Sequence, residues 1–474
     1  MSSPTESTRP RTKAELVASG YTPRSVREEL RANMIAHLRG NTDRAGAFAG
    51  IIGYDETVIP EIENALLSGH HIVMLGERGQ GKTRIIRGLI DFLDELIPVV
   101  DGCAINDDPL APVCAECRRR AAEQGDALPV AWLGRENRYG EKLATPDVTI
   151  ADLIGEVDPV KIAEGRYMAD EEAIHFGIVP RTNRGIFAIN ELPDLAEKVQ
   201  VGLFNVMEER DLQIKGYRIR LPLDVVVVAT ANPDDYTSRG RIVTPLKDRF
   251  DVQIRTHYPR TLADEIAIME QEVDTGERGG LPLCLPDFMC EIVARITIEA
   301  RSAPEISQSS GVSVRVTINN LETLIASAEK RALRLGESEI APRITDLPAL
   351  SASTGGKLEL EYGSEETSET HVLERLVGRS IKDTFEAHVD PASLAKVLEY
   401  IAEGWGIVTS DTMSAAEYME GISTIPGLRD AVDALGPFES PGLMAAATEF
   451  LLEGLHLEER LNRDREGGRF TYKA

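Results

Sequence analysis

The sequence predicts an α/β protein: a P-loop core on a parallel sheet, then an α-helical lid and a mainly helical C-terminal region. Three observations predict it. An apolar run, HIVMLG at 71–76, leads into a glycine-rich turn and a helical pattern. Between 148 and 258 short apolar runs alternate with helical patterns, as they do when crossover helices link parallel strands. Beyond 260 the apolar spacing is that of helices almost throughout. The chain has 474 residues, 42% of them hydrophobic and 27% charged, which suits two or three globular domains and not a disordered polymer.

Taken in order, residues 1–20 are polar, and TPRSVREELRANMIAHLRG spaces Val26, Leu30, Met34 and Leu38 at helical intervals. Residues 1–44 therefore read as an N-terminal helical segment. The α/β core is expected over 45–259. It opens with a helix at 58–68, the strand at 71–76, and the helix TRIIRGLIDFLDEL at 83–96. Residues 98–147 lack periodicity and carry three cysteines and the basic run Arg118–Arg120. They read as an insertion with short helices. After 148–184 come the strand GIFAIN (185–190), the helix EKVQVGLFNVMEERD, a hairpin QIKGYRIRLPLD and the strand VVVVATAN (225–232). A helical lid is expected over 260–350. STGGKLELEYGSEETSET, rich in Ser, Thr, Gly and Glu, places a linker at about 351–372. An acidic helical region follows over 373–474, and residues 351–474 hold 11 basic against 23 acidic side chains.

The whole chain has 52 Lys and Arg against 78 Asp and Glu, a net charge of −26. A chain this acidic repels phosphate backbones, so general nucleic-acid binding is disfavoured. No apolar run approaches the ~18–20 residues that cross a bilayer. The opening MSSPTESTRPRTK has no apolar core of a signal peptide. Five cysteines, an odd number, make no disulfide framework and fit a reducing compartment. A cytoplasmic protein is the expectation.

The chemistry sits in GERGQGKT at 76–83, which matches G-x-x-x-x-G-K-[ST]. Glycines there let backbone N–H groups turn inward onto phosphate oxygens. Gly76, Glu77, Arg78, Gly79, Gln80, Gly81, Lys82, Thr83 and Arg84 are the expected ATP-binding residues. Lys82 would reach the β- and γ-phosphates and Thr83 would ligate Mg²⁺, with the following helix presenting its N-terminus to the anion. In GIFAINE an apolar strand ends in Asn190 and Glu191. Such a pair commonly supplies a metal-side carboxylate and a base that polarises water. Here Asn190 keeps an oxygen able to accept from a metal-bound water but lacks the charge, and Glu191 remains as the base. VVVVATAN delivers Asn232, a polar group placed to hold the attacking water. LKDRFD places Arg249 where it could stabilise charge on a neighbouring subunit's γ-phosphate. Alone, Arg249 would read as a surface ion pair with Asp248 or Asp251.

Together GERGQGKT, GIFAINE, VATAN, LKDRFD and SGVSVR resemble an AAA+ ATPase, and more narrowly the ATPase subunit of magnesium chelatase and its MoxR-like relatives. The stretch DLIGEVDPVKIAEGRYMADEEAIHFGIVPRTNRGIFAINE is similar to their helix-two insert. The resemblance covers about residues 45–345 and fades in the C-terminal quarter. It implies that Lys82 and Thr83 are the Walker A pair, Glu191 the Walker B glutamate, Asn232 sensor 1, Arg249 the arginine finger and Arg315 sensor 2. Asn190 departs from the family, which usually has Asp there. The resemblance further implies a homo-oligomeric ring, most often a hexamer, and a partner carrying a von Willebrand factor A domain. The broader expectation is a motor that remodels a partner protein or helps insert its cofactor.

Three alternatives compete. A nucleotide-gated scaffold that barely hydrolyses ATP is suggested by Asn190 and opposed by Glu191, Asn232, Arg249 and Arg315. A helicase-like DNA motor could use Lys215, Arg218 and Arg220 in the hairpin, although a solvated hairpin face is the favoured reading of them. A sigma-dependent transcription activator is suggested by AGAFAG at 45–50, but that string precedes the P-loop and no basic helix-turn-helix follows. Cys103, Cys114 and Cys117 form C-x10-C-x2-C, half of which has zinc-knuckle spacing. No fourth ligand is evident beyond the distant His175, so unliganded thiols are the favoured reading and zinc the lesser one. Cys284 and Cys290 read as buried helix positions.

Overall fold

The computed structural model describes residues 9–40, 48–165, 170–208, 211–214, 217–233, 242–307, 311–360 and 368–474. It divides into two compact units, Met1–His257 and Tyr258–Ala474.

The first unit is organised by a five-stranded sheet. In spatial order its strands are Val252–Arg255, Ile72–Leu75, Val225–Ala231, Gly185–Asn190 and Tyr139–Leu143. Every neighbouring pair is parallel, and in chain order the sheet reads 5-1-4-3-2. Both faces are covered, which is why the strands are apolar runs without polar alternation. Ile72, Met74, Ile186, Ala188, Val226 and Val228 pack on the helices Val26–Leu38 and Val58–Ser68. Their neighbours Val73, Leu75, Phe187, Ile189, Val227 and Ala229 pack on the opposite side, against the insertion and the helix Glu197–Glu208. The period of two sorts the strands into two cores.

The N-terminal helix Val26–Leu38 is fastened by a capping box between Ser25 and Glu28. Its Glu29 is buried and accepts from Arg138 Nη1 and Nη2 at 2.7 and 2.6 Å. That bidentate pair satisfies two charges that would otherwise be costly to bury.

Two expectations change here. The helix after the glycine turn ends at Gly88, and Leu89–Phe92 is a 3-10 turn. Gly88 is a poor helix residue, and the run LIPVV is drawn into strand Leu96–Val100, antiparallel to Val130–Gly134. Second, Tyr139–Leu143, which reads in sequence as the end of the insertion, is the fifth strand of the central sheet. Between it and Gly185–Asn190, the short helices Ile150–Leu153 and Ile178–Arg181 flank a hairpin of Gly155–Val157 and Ile174–Phe176. Strands Asp211–Ile214 and Tyr217–Arg220 form the expected second hairpin; Lys215 and the side chains of Arg218 and Arg220 lie outside the described residues.

The second unit is built on the helices Leu262–Glu272, Asp287–Ser302, Val314–Leu335, Glu369–His388 and Pro441–Leu457. Pro441–Leu457 is buried along most of its length, and Phe450 stacks on Phe288 with ring centroids 4.4 Å apart. A small antiparallel sheet, Ile407–Ser410, Arg469–Lys473 and Asn462–Glu466, closes the C-terminal end. The serine-rich stretch opens as the helix Leu350–Thr354, and its residues 361–367 lie outside the described residues. Cys290 is a buried helix position. Cys284 precedes that helix, half-buried, with its thiol 3.2 Å from Glu339 Oε2.

Candidate functional site

In a parallel sheet the carboxyl ends of all strands lie along one edge, where ligands bind. Leu75, Asn190 and Ala231 are strand ends, so the glycine turn, Glu191 and Asn232 meet at that edge. The side chains confirm the meeting. Lys82 is buried and donates from Nζ to Glu77 O at 2.8 Å, to Gly76 O, and to Asn232 Oδ1 at 3.1 Å. Asn232 in turn donates from Nδ2 to Glu191 Oε2 at 3.3 Å. An ammonium, an amide and a carboxylate from three sequence-distant segments thus form one hydrogen-bonded chain.

The turn itself is held from below. Gln80 Oε1 accepts from Glu77 N at 3.1 Å and from Thr256 Oγ1 at 2.6 Å. A Cβ on Gly76 would lie 1.8 Å from Thr256 Oγ1, so only glycine fits there. Gly81 has φ of 72° and caps the helix Lys82–Gly88. The Tyr54 hydroxyl lies 2.8 Å from Gln80 O and 2.6 Å from His257 O, and burial raises its pKa to about 12. Glu77, Gly79 and Thr83 are half-buried, and Arg78 and Arg84 are exposed. Tyr54, Thr256 and the buttressing role of Gln80 carry no spacing signal in sequence.

Glu191 stands in the left-handed region at φ 57°, with its N–H donating to Thr230 Oγ1 at 2.9 Å. The hydroxyl from the adjacent strand fixes a backbone conformation unusual for a non-glycine residue. Beside it, Asn190 Nδ2 donates to Glu141 Oε1 at 2.6 Å. Asn190 Oδ1 is buried and finds no hydrogen-bond partner among the described residues. Glu141 also accepts from Arg87 Nε at 2.9 Å and Nη2 at 3.2 Å. Glu141 was not singled out in sequence; it lies 49 residues from Asn190 and is brought alongside only by strand pairing.

Arg249 packs its guanidinium over the Phe204 ring at 5.2 Å and lies 4.0 Å from Asp248. Arg315 is exposed in the first turn of the helix Val314–Leu335, in the second unit.

A separate cluster forms in the insertion. One ligand atom each from Cys103, Asp107, Cys114 and Cys117 lies within 4.8 Å of the others. Hydrogen bonds from Cys114 and Cys117 hold the Cys103 thiol well below its usual range. Burial, then the charge on Cys103, raises Asp107 to about 6. Asp107 is the fourth group that cysteine spacing does not reveal. His175 lines the same cavity, but its Nε2 lies 2.7 Å from Arg181 Nη2.

No protein-family model matches the chain. In sequence it is 27% identical over 281 residues to the magnesium-chelatase subunit ChlI of Nostoc sp., spanning 57% of this chain and 70% of that protein. It is 26% identical over 231 residues to the chloroplastic subunit ChlI-1 of Arabidopsis thaliana, spanning 47% of this chain and 51% of that one. Among solved structures, the BchI–BchD complex of magnesium chelatase aligns with 69% of this chain and 98% of its own, at 21% identity and a TM-score of 0.36. NtrX of Brucella abortus in complex with ATP aligns with 73% of this chain and 68% of its own, at 14% identity and a TM-score of 0.40. Both structural likenesses are too weak to bear on function. Among the described residues no helix is long and apolar enough to cross a membrane. In its P-loop, its converging strand tips and its sequence, the chain resembles the AAA+ ATPase subunit of magnesium chelatase.

Proposed function

We propose that the chain binds and hydrolyses ATP with Mg²⁺ and works in the cytoplasm as a ring-forming motor on a partner protein. The observation that carries this reading is the Lys82–Asn232–Glu191 chain at the strand tips. A buried ammonium at the phosphate position and a carboxylate beyond an amide are the parts that phosphoryl transfer to water requires.

The residues present fit a metal ion. Asn190 Oδ1 is a buried acceptor without a partner among the described residues, and Thr83 stands beside Lys82 at the turn. Thr83 would hold the ion directly and Asn190 would hold one of its waters. When bound, the ion neutralises charge on the β- and γ-oxygens. Lys82 neutralises the remaining charge, and Asn232 holds the attacking water toward the γ-phosphorus. Glu191 accepts that water's proton as its oxygen bonds to phosphorus and the bond to the β-phosphate oxygen breaks. Arg249, half-exposed at 34% of its side chain, would serve the site of a neighbouring protomer, and Arg315 would report nucleotide state from the lid. A partner with a von Willebrand factor A domain is the expected recipient of the motion.

Steady-state ATP hydrolysis beside nucleotide binding tests this. Glu191→Gln is expected to lose about 10²-fold or more in turnover while retaining ATP, and Lys82→Ala to lose binding as well. Equal turnover in wild type and Glu191→Gln would sink the motor reading. A nucleotide-gated scaffold is the second reading, favoured by one observation: the metal-side residue is an amide committed through its Nδ2 to Glu141. Tight binding with turnover indistinguishable from background in the wild type would establish it.

A further inference from the structure

The helix Ala115–Gln124 is held at its surface by polar contacts: Ala115 N donates to Glu171 Oε1 at 2.7 Å and Arg120 Nη1 to Asp101 O at 2.8 Å. Its sequence, AECRRRAAEQ, carries three arginines, and Cys117 is its one fully buried residue. A helix with so narrow an apolar face does not stay docked by packing alone. Yet its first turn sits beside the turn that follows strand Leu96–Val100, and the atoms at that contact are three sulfurs and a carboxylate.

Three of the four groups are oriented by backbone N–H donors, and the fourth, Cys117, is buried beside them. Cys103 Sγ accepts from Ile105 N and Asp107 N, both at 3.4 Å, and Cys114 Sγ accepts from Cys117 N at 3.2 Å. Backbone N–H groups aimed at the Cys103 sulfur favour its thiolate over its thiol. Asp107 is 1% exposed. Its Oδ2 accepts from Val113 N at 3.0 Å and Cys114 N at 2.9 Å, which fixes the carboxylate's orientation. Its Oδ1 is buried without a hydrogen-bond partner among the described residues. The adjacent Asp108, by contrast, is paired with Arg184 at 3.0 Å. A buried carboxylate oxygen left open beside three sulfurs is costly unless a cation completes it.

We propose that Cys103, Asp107, Cys114 and Cys117 bind one zinc ion in a closed tetrahedral site that staples the helix Ala115–Gln124 to the strand pair of the insertion. Zn–S bonds of ~2.3 Å set sulfur–sulfur edges of about 3.8 Å, so ligand atoms already within 4.8 Å of one another need only contract slightly. Three soft sulfurs and one oxygen select zinc over magnesium or calcium, which take all-oxygen shells. With four protein ligands no position is left for water, so the site is structural rather than catalytic. Binding releases the remaining thiol protons.

The test uses the full-length chain purified without chelator from zinc-supplemented cells. Elemental analysis is expected to find about one zinc per chain, and cobalt substitution to give tetrahedral d–d bands with thiolate-to-cobalt charge transfer. Cys117→Ser and Asp107→Asn are expected to retain under about a tenth of the wild-type zinc, while Cys284→Ser retains it all. Wild-type protein folded by circular dichroism but free of zinc overturns the proposal whatever the variants do. So do an octahedral cobalt spectrum, an iron–sulfur chromophore, or a disulfide among the three cysteines in peptide mapping of freshly purified chain.

Discussion

Asn190 is the residue at which the candidate site departs from the pattern that the family resemblance implies, and its surroundings explain why simple restoration should fail. Its Nδ2 donates to Glu141 Oε1 at 2.6 Å, so Asn190→Asp would replace a donor with a second carboxylate at the same spacing. Like charges that close cannot both ionise without cost. Asn190→Asp alone is therefore expected to lower ATPase turnover, or to leave it unimproved. Asn190→Asp with Glu141→Gln moves the negative charge to the metal-side position and gives it a donor, and is expected to exceed the single variant by about tenfold, within the range that metal-side charge commands. Measuring turnover against Mg²⁺ concentration for the three proteins decides it; an active single variant equal to the double would mean that Glu141 does not govern the site. This pairing also marks the limit of legibility at residue scale. Lys82, Glu191 and Asn232 were readable because each ends an apolar strand or a glycine turn, and strand ends converge. Glu141 and Asp107 were not. One meets Asn190 through a strand with no apolar run, YGEKL, and the other sits in an irregular loop, so neither has a period or a motif to announce it.

The central sheet depends on a histidine at the foot of the P-loop strand. His71 is buried; its Nδ1 accepts from Val227 N at 2.9 Å, and its backbone N–H donates to Asp251 Oδ2 at 2.8 Å. It thus ties together the starts of three adjacent strands. Arg27 Nη2 lies 2.8 Å from its Nε2. Burial first, and then the Arg27 charge, lower its pKa to about 4, with Asp251 opposing. A histidine whose folded pKa is depressed binds more protons unfolded than folded between the two values. Its contribution is present above the unfolded value of ~6.5 and is lost as pH falls toward about 4. From pH 7 to pH 5 this one group should remove about 2 kcal/mol. Urea melts at the two pH values should therefore show a smaller loss for His71→Gln than for wild type, even if that variant is less stable at pH 7. Identical losses would mean that His71 is not the titrating group. At this scale the sequence was clear where burial is two-sided, as in VVVVATA and GIFAIN, because only a doubly covered strand is apolar at every position. It misled at the helix after the P-loop, where LIPVV fits a buried strand and a helix end alike until its partner Val130–Gly134 is known.

On the scale of the whole chain, the second unit raises the question of how its helical lid and acidic C-terminal region are joined. Met289, Ile292, Val293 and Ile296 on one helix, and Leu321, Leu324 and Ile325 on another, share a single core with Phe385, Phe450, Leu451 and Tyr472. Polar links run the same way: Thr345 N donates to Glu449 Oε2 at 2.8 Å, and Arg343 Nη1 donates to Met413 O at 2.9 Å. Glu449 is buried, and burial raises its pKa while Arg343 and Tyr418 oppose. A truncation after Leu350 would strip these partners and uncover the face of Asp287–Ser302 that packs on Glu369–His388, with Phe288 losing its stack on Phe450; several buried apolar side chains there are each worth roughly 1.5–3 kcal/mol of burial. That sum approaches the whole stability of an ordinary domain. The truncated chain is therefore expected to bind a hydrophobic dye and to lose the cooperative melt of residues 258–350, while the P-loop unit keeps its own transition. A truncated chain that melts with undiminished cooperativity would show that the lid folds alone. If the lid and the acidic region are one body, a partner docked on the C-terminal quarter feels nucleotide-driven lid movement directly, without a flexible tether to absorb it.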